Sequence, residues 1–192
     1  LMRHPLFAFD PAPVTIIGLG SPWGDDRVGW CVADALSERL GPARARILKL
    51  DRPGSGLLDR IAGRHRVMLV DAAVTGAAPG SLHVLPLTEL ASGSSSASSH
   101  GFGLADALSL GRNLGMLPPE LDIYIVSIDP AQTQQSGRDL TPAVAAAVGP
   151  LRDAICRRLA GDDGGRRHAG PPGEWRDPVS IGGIDHDSDR LG

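Results

Sequence analysis

Four polar residues of this sequence are candidates for binding a metal ion or transferring a proton. Asp25 and Asp26 follow a glycine-rich segment, Asp71 follows the apolar run Val67 to Val70, and His100 ends a serine-rich segment. Carboxylate oxygens and an imidazole nitrogen suit a divalent metal ion, and both groups exchange protons. Asp26, Asp71 and His100 therefore predict an open metal site if they meet on one edge of a fold, with Asp25 as an additional catalytic candidate.

Each of these residues also has a plainer explanation. Asp25 or Asp26 could cap the helix that follows, because an aspartate at a helix N-terminus accepts otherwise unpaired N–H groups. Asp71 could form an Asx-turn, and His100 could be an exposed loop histidine. His65 and His83 are predicted to be structural or exposed.

A nucleotide site is a weaker hypothesis for the same glycine-rich turn. A dinucleotide fingerprint needs a third glycine where Trp23 stands, and Pro22 lacks the N–H that would bind phosphate. Asp51, after the second predicted strand, would be the ribose ligand. No GxxxxGK segment occurs, which excludes a P-loop nucleotide hydrolase.

The elements that must position these residues alternate between strands and helices. Apolar runs predict strands at Val14 to Leu19, Ile47 to Leu50, Val67 to Val70, Ser81 to Leu87 and Leu121 to Ile128. Helical spacing predicts helices over about residues 27–40, at Gly56 to Ala62, at Leu104 to Leu114, and from Thr141 to Leu159 with a kink at Pro150. This order predicts an α/β fold: a single three-layer domain with an open, mostly parallel, twisted sheet of about five strands and helices on both faces.

In such a sheet, ligands bind outside the carboxyl ends of the strands. Asp26 and Asp71 both follow predicted parallel strands, and His100 precedes a predicted helix, so all three are expected at that edge. The fourth strand is expected to run antiparallel, because no crossover helix separates it from the third.

Charge and length place the domain within the first 160 residues. The chain has 192 residues and a net charge of -3, all of it carried by residues 161–192, which lack an apolar face. We expect this Gly/Pro/Asp/Arg-rich tail to be flexible. Residues 1–160 carry equal numbers of basic and acidic side chains, which argues against nucleic-acid binding. The apolar runs are too short for a membrane span, and the two cysteines are too distant in sequence to indicate a disulfide framework. A cytoplasmic protein is predicted.

Several segments together resemble the hydrogenase maturation endopeptidases. They are Gly18 to Gly29, Val70-Asp71-Ala72, Ser99 to Leu108, Gly115-Met116-Leu117-Pro118 and Leu140 to Val144, in the family's order over about residues 14–160. The resemblance implies an aspartyl-type endopeptidase that removes a C-terminal extension from the large-subunit precursor of a nickel-iron hydrogenase. It also implies that nickel, supplied by the precursor, is the recognition signal and is bound by Asp26, Asp71 and His100.

The sequence departs from the family pattern near these residues. Ser21 stands where Asn is common, the loop before the acids is one residue shorter, and Asp26 stands where many relatives have Glu. Water is the expected nucleophile, because Cys31 is predicted to face the core and the serines of residues 92–99 lack a neighbouring triad. The metal ion or an adjacent carboxylate, such as Asp25, would activate that water.

Three other functions remain open at this point. A non-catalytic nickel-dependent chaperone or docking module would use the same three ligands without cleavage. A peptidyl-tRNA hydrolase shares a similar first turn, but its catalytic histidine has no counterpart after Gly29. A nucleotide-binding oxidoreductase would need the altered glycine fingerprint to work.

Overall fold

The computed structural model describes residues 14–85, 103–133, 137 and 139–162. Its strands are β1 (Thr15–Gly20), β2 (Arg46–Asp51), β3 (Arg66–Ala73), β4 (Leu82–Leu85) and β5 (Glu120–Ser127). Its α-helices are α1 (Val28–Ser37), α2 (Leu57–Ile61), α3 (Leu104–Asn113), α4 (Pro130–Thr133) and α5 (Pro142–Asp162), and single 3-10 turns at Gly24–Arg27 and Gly54–Gly56 lead into α1 and α2.

The five strands form one sheet in the order β2-β1-β3-β5-β4. All neighbouring pairs are parallel except β4 with β5, which is antiparallel. Alternate side chains of the central strands enter two separate cores, as the period of two in a strand requires. Ile16, Met68 and Val70 pack with α1 and α5, whereas Ile17, Val67 and Leu69 pack with α2 and α3. The predicted three-layer α/β fold with its antiparallel fourth strand is confirmed.

Helix α1 approaches the sheet closely because two glycines face each other at the contact. A Cβ on Gly18 would overlap the carbonyl oxygen of Gly29, and a Cβ on Gly29 would overlap that of Leu19. A side chain at either position would push the helix off the strands. The first turn therefore leaves β1 and enters α1 within a narrow space, which fixes where Asp25 and Asp26 lie.

Several predicted boundaries were wrong by a few residues. Helix α1 ends at Ser37 rather than near residue 40, and α5 continues through Pro150 to Asp162 rather than ending at Leu159. The short helix α4 was not predicted, although Asp129-Pro130 is a capping residue followed by a favoured first helical residue, and the Ala131 N–H does donate to Asp129 Oδ1 at 2.9 Å. The division into a domain and a flexible tail stays a prediction.

Candidate active site

Asp71 lies where the sheet opens between β1 and β3. The pairing of these strands ends at Gly18 with Val70, while β3 goes on pairing with β5 from Asp71 to Ala73. Asp71 was expected to close the third strand; it lies within β3 instead, because β5 supplies hydrogen-bond partners for two further residues. Beside it, β1 has ended and the chain enters the glycine-rich turn, so Asp71 lies at the carboxyl edge, next to the gap between β1 and β3.

The environment of the Asp71 carboxylate favours its protonated form. Desolvation is the largest effect, and together with the negative charge of Asp26 it raises the pKa of Asp71 to about 7, although a hydrogen bond from the Ala72 N–H acts in the opposite direction. That N–H donates to Asp71 Oδ1 at 2.9 Å, the local bond of an Asx-type turn. A carboxyl group that changes protonation near neutral pH within a crevice is suited to proton transfer or to binding a cation.

The two adjacent aspartates of the first turn have different environments. Asp25 is fully buried, and its two carboxylate oxygens accept hydrogen bonds from Thr141, at 2.7 Å from the N–H and 3.0 Å from the hydroxyl. Neither aspartate is the N-cap of α1, so the capping explanation of this pair was wrong; Asp25 instead serves the start of α5. Asp26 is partly exposed, and its charge acts on Asp71.

The backbone of the first turn is closed around Asp26. Gly20 has a φ of 147°, and a Cβ at that position would overlap the carbonyl oxygen of Asp26. The Ser21 N–H donates to the same oxygen at 3.4 Å, and the Gly24 N–H donates to the carbonyl oxygen of Gly137 at 2.9 Å. These contacts fix the turn at both ends, which holds Asp26 beside the opening of the sheet.

Arg52 borders the same edge from the exit of β2. Its φ of 39° is the only positive φ of a non-glycine residue within the described part of the chain, and its N–H donates to the carbonyl oxygen of Gly20 at 3.1 Å. Its Nε lies 2.8 Å from Asp51 Oδ1, and this bond, followed by the charges of Asp51 and Asp26, raises the pKa of Arg52. Asp51 is therefore engaged by a cation at the position where a ribose ligand was considered.

His100 lies outside the described residues, as do residues 86–102 around it. The chain is described again from Gly103, whose carbonyl oxygen accepts from the Ala107 N–H at 3.0 Å at the start of α3. Because α3 leads into the parallel strand β5, its N-terminus belongs to the carboxyl edge of the sheet. Within the described ranges, no three His, Cys, Asp or Glu side chains form a group that could hold a metal ion.

Cys31 does not face the core as predicted. It is partly exposed on α1, and the positions that bury that helix include Gly29, Val32 and Ala33. Desolvation is the main reason that the pKa of the Cys31 thiol is raised, which keeps the thiol protonated at neutral pH. A protonated thiol is a poor nucleophile, so Cys31 is not a candidate for covalent catalysis.

A cluster of hydroxyl groups at the ends of β3 and β5 was missed in the sequence. The Thr75 hydroxyl is hydrogen-bonded to that of buried Ser127, and it lies 3.4 Å from His83 Nε2. The Ser127 hydroxyl donates to the carbonyl oxygen of Ala77 at 3.2 Å, and the Ala77 N–H donates to Thr75 at the same distance. These bonds tie the loop after β3 to β5, so the cluster anchors a loop; no sequence pattern joins residues that lie so far apart in the chain.

Fold and site together define an open α/β protein with two aspartates at the opening of its sheet. A sequence model of the hydrogenase maturation protease family matches residues 32–158 of this chain. The chain therefore belongs to that family and is a hydrolase. Asp71 and His100 lie inside the matched stretch, whereas Asp26 precedes it.

Solved structures agree with this assignment. The hydrogenase maturating endopeptidase HybD from Escherichia coli is 28% identical, with a TM-score of 0.65, over 77% of this chain and 92% of its own. The solution structure of an endopeptidase from Escherichia coli is 26% identical, with a TM-score of 0.67, over 79% of this chain and 93% of its own. A [NiFe] hydrogenase maturation protease HycI from Thermococcus kodakarensis, 20% identical over 77% of this chain and 92% of its own with a TM-score of 0.60, shows the same fold. No curated protein sequence matches.

Proposed function

We propose that this protein removes a C-terminal extension from the nickel-loaded large-subunit precursor of a nickel-iron hydrogenase. The observation that carries the proposal is the pair formed by Asp26 and Asp71, in which the charge of Asp26 acts on Asp71 at the opening between β1 and β3. Family membership supplies the class of reaction, and the open edge supplies room for a folded protein partner. Nickel enters with the precursor and belongs to the substrate.

In this proposal, Asp26, Asp71 and His100 together bind the nickel of the docked precursor. Two carboxylates and one imidazole are oxygen and nitrogen donors that a divalent ion of this hardness accepts. Such a set leaves coordination positions for the ligands that the precursor itself provides. Contact with the metal brings the scissile peptide bond into the crevice and explains how an unloaded precursor would be rejected.

Cleavage then proceeds with water as the nucleophile. The water oxygen bonds to the carbonyl carbon of the scissile peptide, the C–N bond breaks, and the proton released by water passes to the leaving amine. Both oxygens of Asp25 accept hydrogen bonds from Thr141 in the protein interior, which favours a structural role for Asp25 over proton transfer. The pKa of Asp71 is about 7 in the protein without the precursor, whereas a bound metal ion would hold its carboxylate ionised, so in the docked complex Asp71 is assigned as a ligand and not as the proton carrier.

The decisive experiment compares two forms of the same precursor. The purified protein is incubated with nickel-loaded and with nickel-free large-subunit precursor, and the products are weighed by mass spectrometry. We expect a single cleavage near the C-terminus of the loaded form and none of the other. Equal cleavage of both forms would contradict nickel recognition, and stable binding of the loaded form without cleavage would identify a chaperone or docking module.

A further inference from the structure

Trp23 is the one exposed residue between positions 14 and 33. Every other residue in that stretch is buried or partly buried, including Gly18 and Gly29 at the contact of β1 with α1 and the adjacent Asp25 and Asp26. Trp23 is 52% exposed, and within the described part of the chain only one other large hydrophobic residue, Leu114 at 58%, is exposed to a comparable degree. An aromatic side chain is thus presented to solvent three residues before Asp26.

The exposure of Trp23 does not result from a loose turn. Its neighbour Gly24 donates its N–H to Gly137, and Asp25 is held by two hydrogen bonds from Thr141. On the other side, the close contact of Gly20 with the Asp26 carbonyl oxygen fixes the start of the turn. The backbone on both sides of Trp23 is therefore anchored, and the indole is held outward from a rigid base.

We propose that Trp23 is the anchor by which the hydrogenase large-subunit precursor docks, its indole entering an apolar recess beside the metal on the precursor. The inference rests on the proposed function and names the contact that selects the partner. Three residues of chain span at most about 10 Å, so a protein whose metal reaches Asp26 comes within reach of Trp23. Tryptophan is enriched among residues that dominate interface energetics, because it buries a large area while few torsions become fixed.

Trp23 and the acidic pair contribute different kinds of interaction. Asp26 and Asp71 offer negative charge for a metal ion but little apolar area, and charged pairs at an interface add specificity more than affinity. An anchored indole supplies the apolar area that a polar crevice lacks. The two together would let the enzyme discriminate first for the correct protein and then for the presence of its metal.

The test measures how cleavage depends on precursor concentration for three variants. Trp23→Ala removes the anchor, Trp23→Phe keeps an aromatic ring, and Leu114→Ala is the matched control. Leu114 is equally exposed but follows the last residue of α3, at the helix end opposite the carboxyl edge. Trp23→Ala should raise the KM for nickel-loaded precursor by about tenfold or more, as expected for an interface anchor, with kcat within about twofold. Trp23→Phe should be intermediate, and Leu114→Ala should match the wild type.

Several results would overturn this inference without touching the proposed cleavage. An unchanged KM for Trp23→Ala, an equal rise for Leu114→Ala, or a loss confined to kcat would each do so. Iodide quenching of the free protein gives an independent check: because Trp30 and Trp175 are present in both proteins, Trp23→Phe must lose iodide-quenchable fluorescence relative to the wild type, and a shielded Trp23 would mean that the chain itself covers it. Conversely, Trp23-dependent binding of the precursor without cleavage would refute the proposed function and keep the docking surface.

Discussion

Charged residues at the two edges of the sheet have different surroundings. At the amino edge, Arg66 Nε lies 3.5 Å from Glu120 Oε2 and Arg66 Nη2 lies 3.5 Å from Asp122 Oδ2, while Arg158 Nε lies 3.6 Å from the same Asp122 oxygen. At the carboxyl edge, burial and, to a smaller extent, the negative charge of Asp26 raise the pKa of Asp71 to about 7. Asp51 at the carboxyl edge is also paired, with Arg52, so the contrast between the edges lies in Asp71, a buried acid with a second acid nearby, which is the kind of group found at functional sites.

The strongest way to break this comparison is to remove the acids of the carboxyl edge. On the proposed nickel-binding role, Asp71→Asn, Asp26→Asn and His100→Ala should each lower processing of nickel-loaded precursor by more than about 100-fold, because each replaces a carboxylate or imidazole ligand of the shared site by a weaker ligand or none. Combining them should add little further loss, since one missing ligand already spoils the geometry. Processing assays with a thermal melt of each variant would measure both effects. Asp26→Glu, which keeps the charge, should retain part of the activity, and full activity of His100→Ala would refute the assigned ligand set.

The raised pKa of Asp71 predicts a pH-dependent stability. Since the folded-state pKa is about 7 against an ordinary value of 3.8, the native state binds more protons than the unfolded state between these values. The free energy of unfolding should therefore fall as pH rises from about 4 to about 7. At about 1.4 kcal/mol per pKa unit, the decrease from this group is at most about 4 kcal/mol. Because Asp71 is partly exposed, solvent screening makes the actual decrease smaller. Urea denaturation at several pH values would measure it, with Asp71→Asn as the control that flattens the profile. A wild-type profile identical to that of Asp71→Asn would contradict the assigned environment.

Asp25→Ala should lower the free energy of unfolding more than Asp26→Ala does. Removing the Asp25 carboxylate leaves the buried N–H and hydroxyl of Thr141 without these acceptors, which should lower the free energy of unfolding by about 2 to 3 kcal/mol. Asp25→Asn keeps one acceptor and should lose about half as much. Chemical denaturation of the three variants separates the two adjacent acids. An equal loss for Asp26→Ala would show that both acids are structural.

At the amino edge, Arg66→Ala should affect stability alone. Only 10% of the Arg66 side chain is exposed, and its removal leaves Glu120 and Asp122 close together without that cation. We expect a loss of about 1 to 2 kcal/mol, typical of a partly buried ion pair, with an unchanged rate of precursor processing. Paired measurements of Tm and of activity would decide. A loss of activity at equal stability would mean that the two edges are not separate in function.

The smallest predicted effect concerns the backbone of Arg52. Glycine adopts its φ of 39° without strain, so Arg52→Gly should raise the free energy of unfolding by up to about 1 kcal/mol, less the small contribution of the exposed pair with Asp51. Arg52→Ala is the matched control, since it removes the same pair but keeps the strain. If both variants have the same stability, the left-handed backbone at this position is not strained.

The sequence could be used to predict much of the fold and part of the candidate site. The alternating apolar runs predict the five strands, and those of β1 and β3 are apolar on both faces because parallel strands in the middle of a sheet are covered on both sides. That order alone puts Asp26 and Asp71 at one edge. The extension of β3 past Asp71 could not be predicted, since it depends on β5, which follows some fifty residues later and supplies the backbone partners of Asp71, Ala72 and Ala73.

The sequence by itself determined which residue types meet at the carboxyl edge, and the tertiary structure decided what each of them can do. Asp25 and Asp26 are adjacent and chemically identical in the chain. Thr141, distant in sequence, donates to both oxygens of Asp25 in the interior, while the turn closed by Gly20 leaves Asp26 partly exposed, where its charge acts on Asp71. The local spacing of apolar residues predicts secondary structure because it indicates which face of a helix or strand is buried. The role of a carboxylate depends instead on the charges and donors within a few ångströms of it, and those come from segments that only folding brings together.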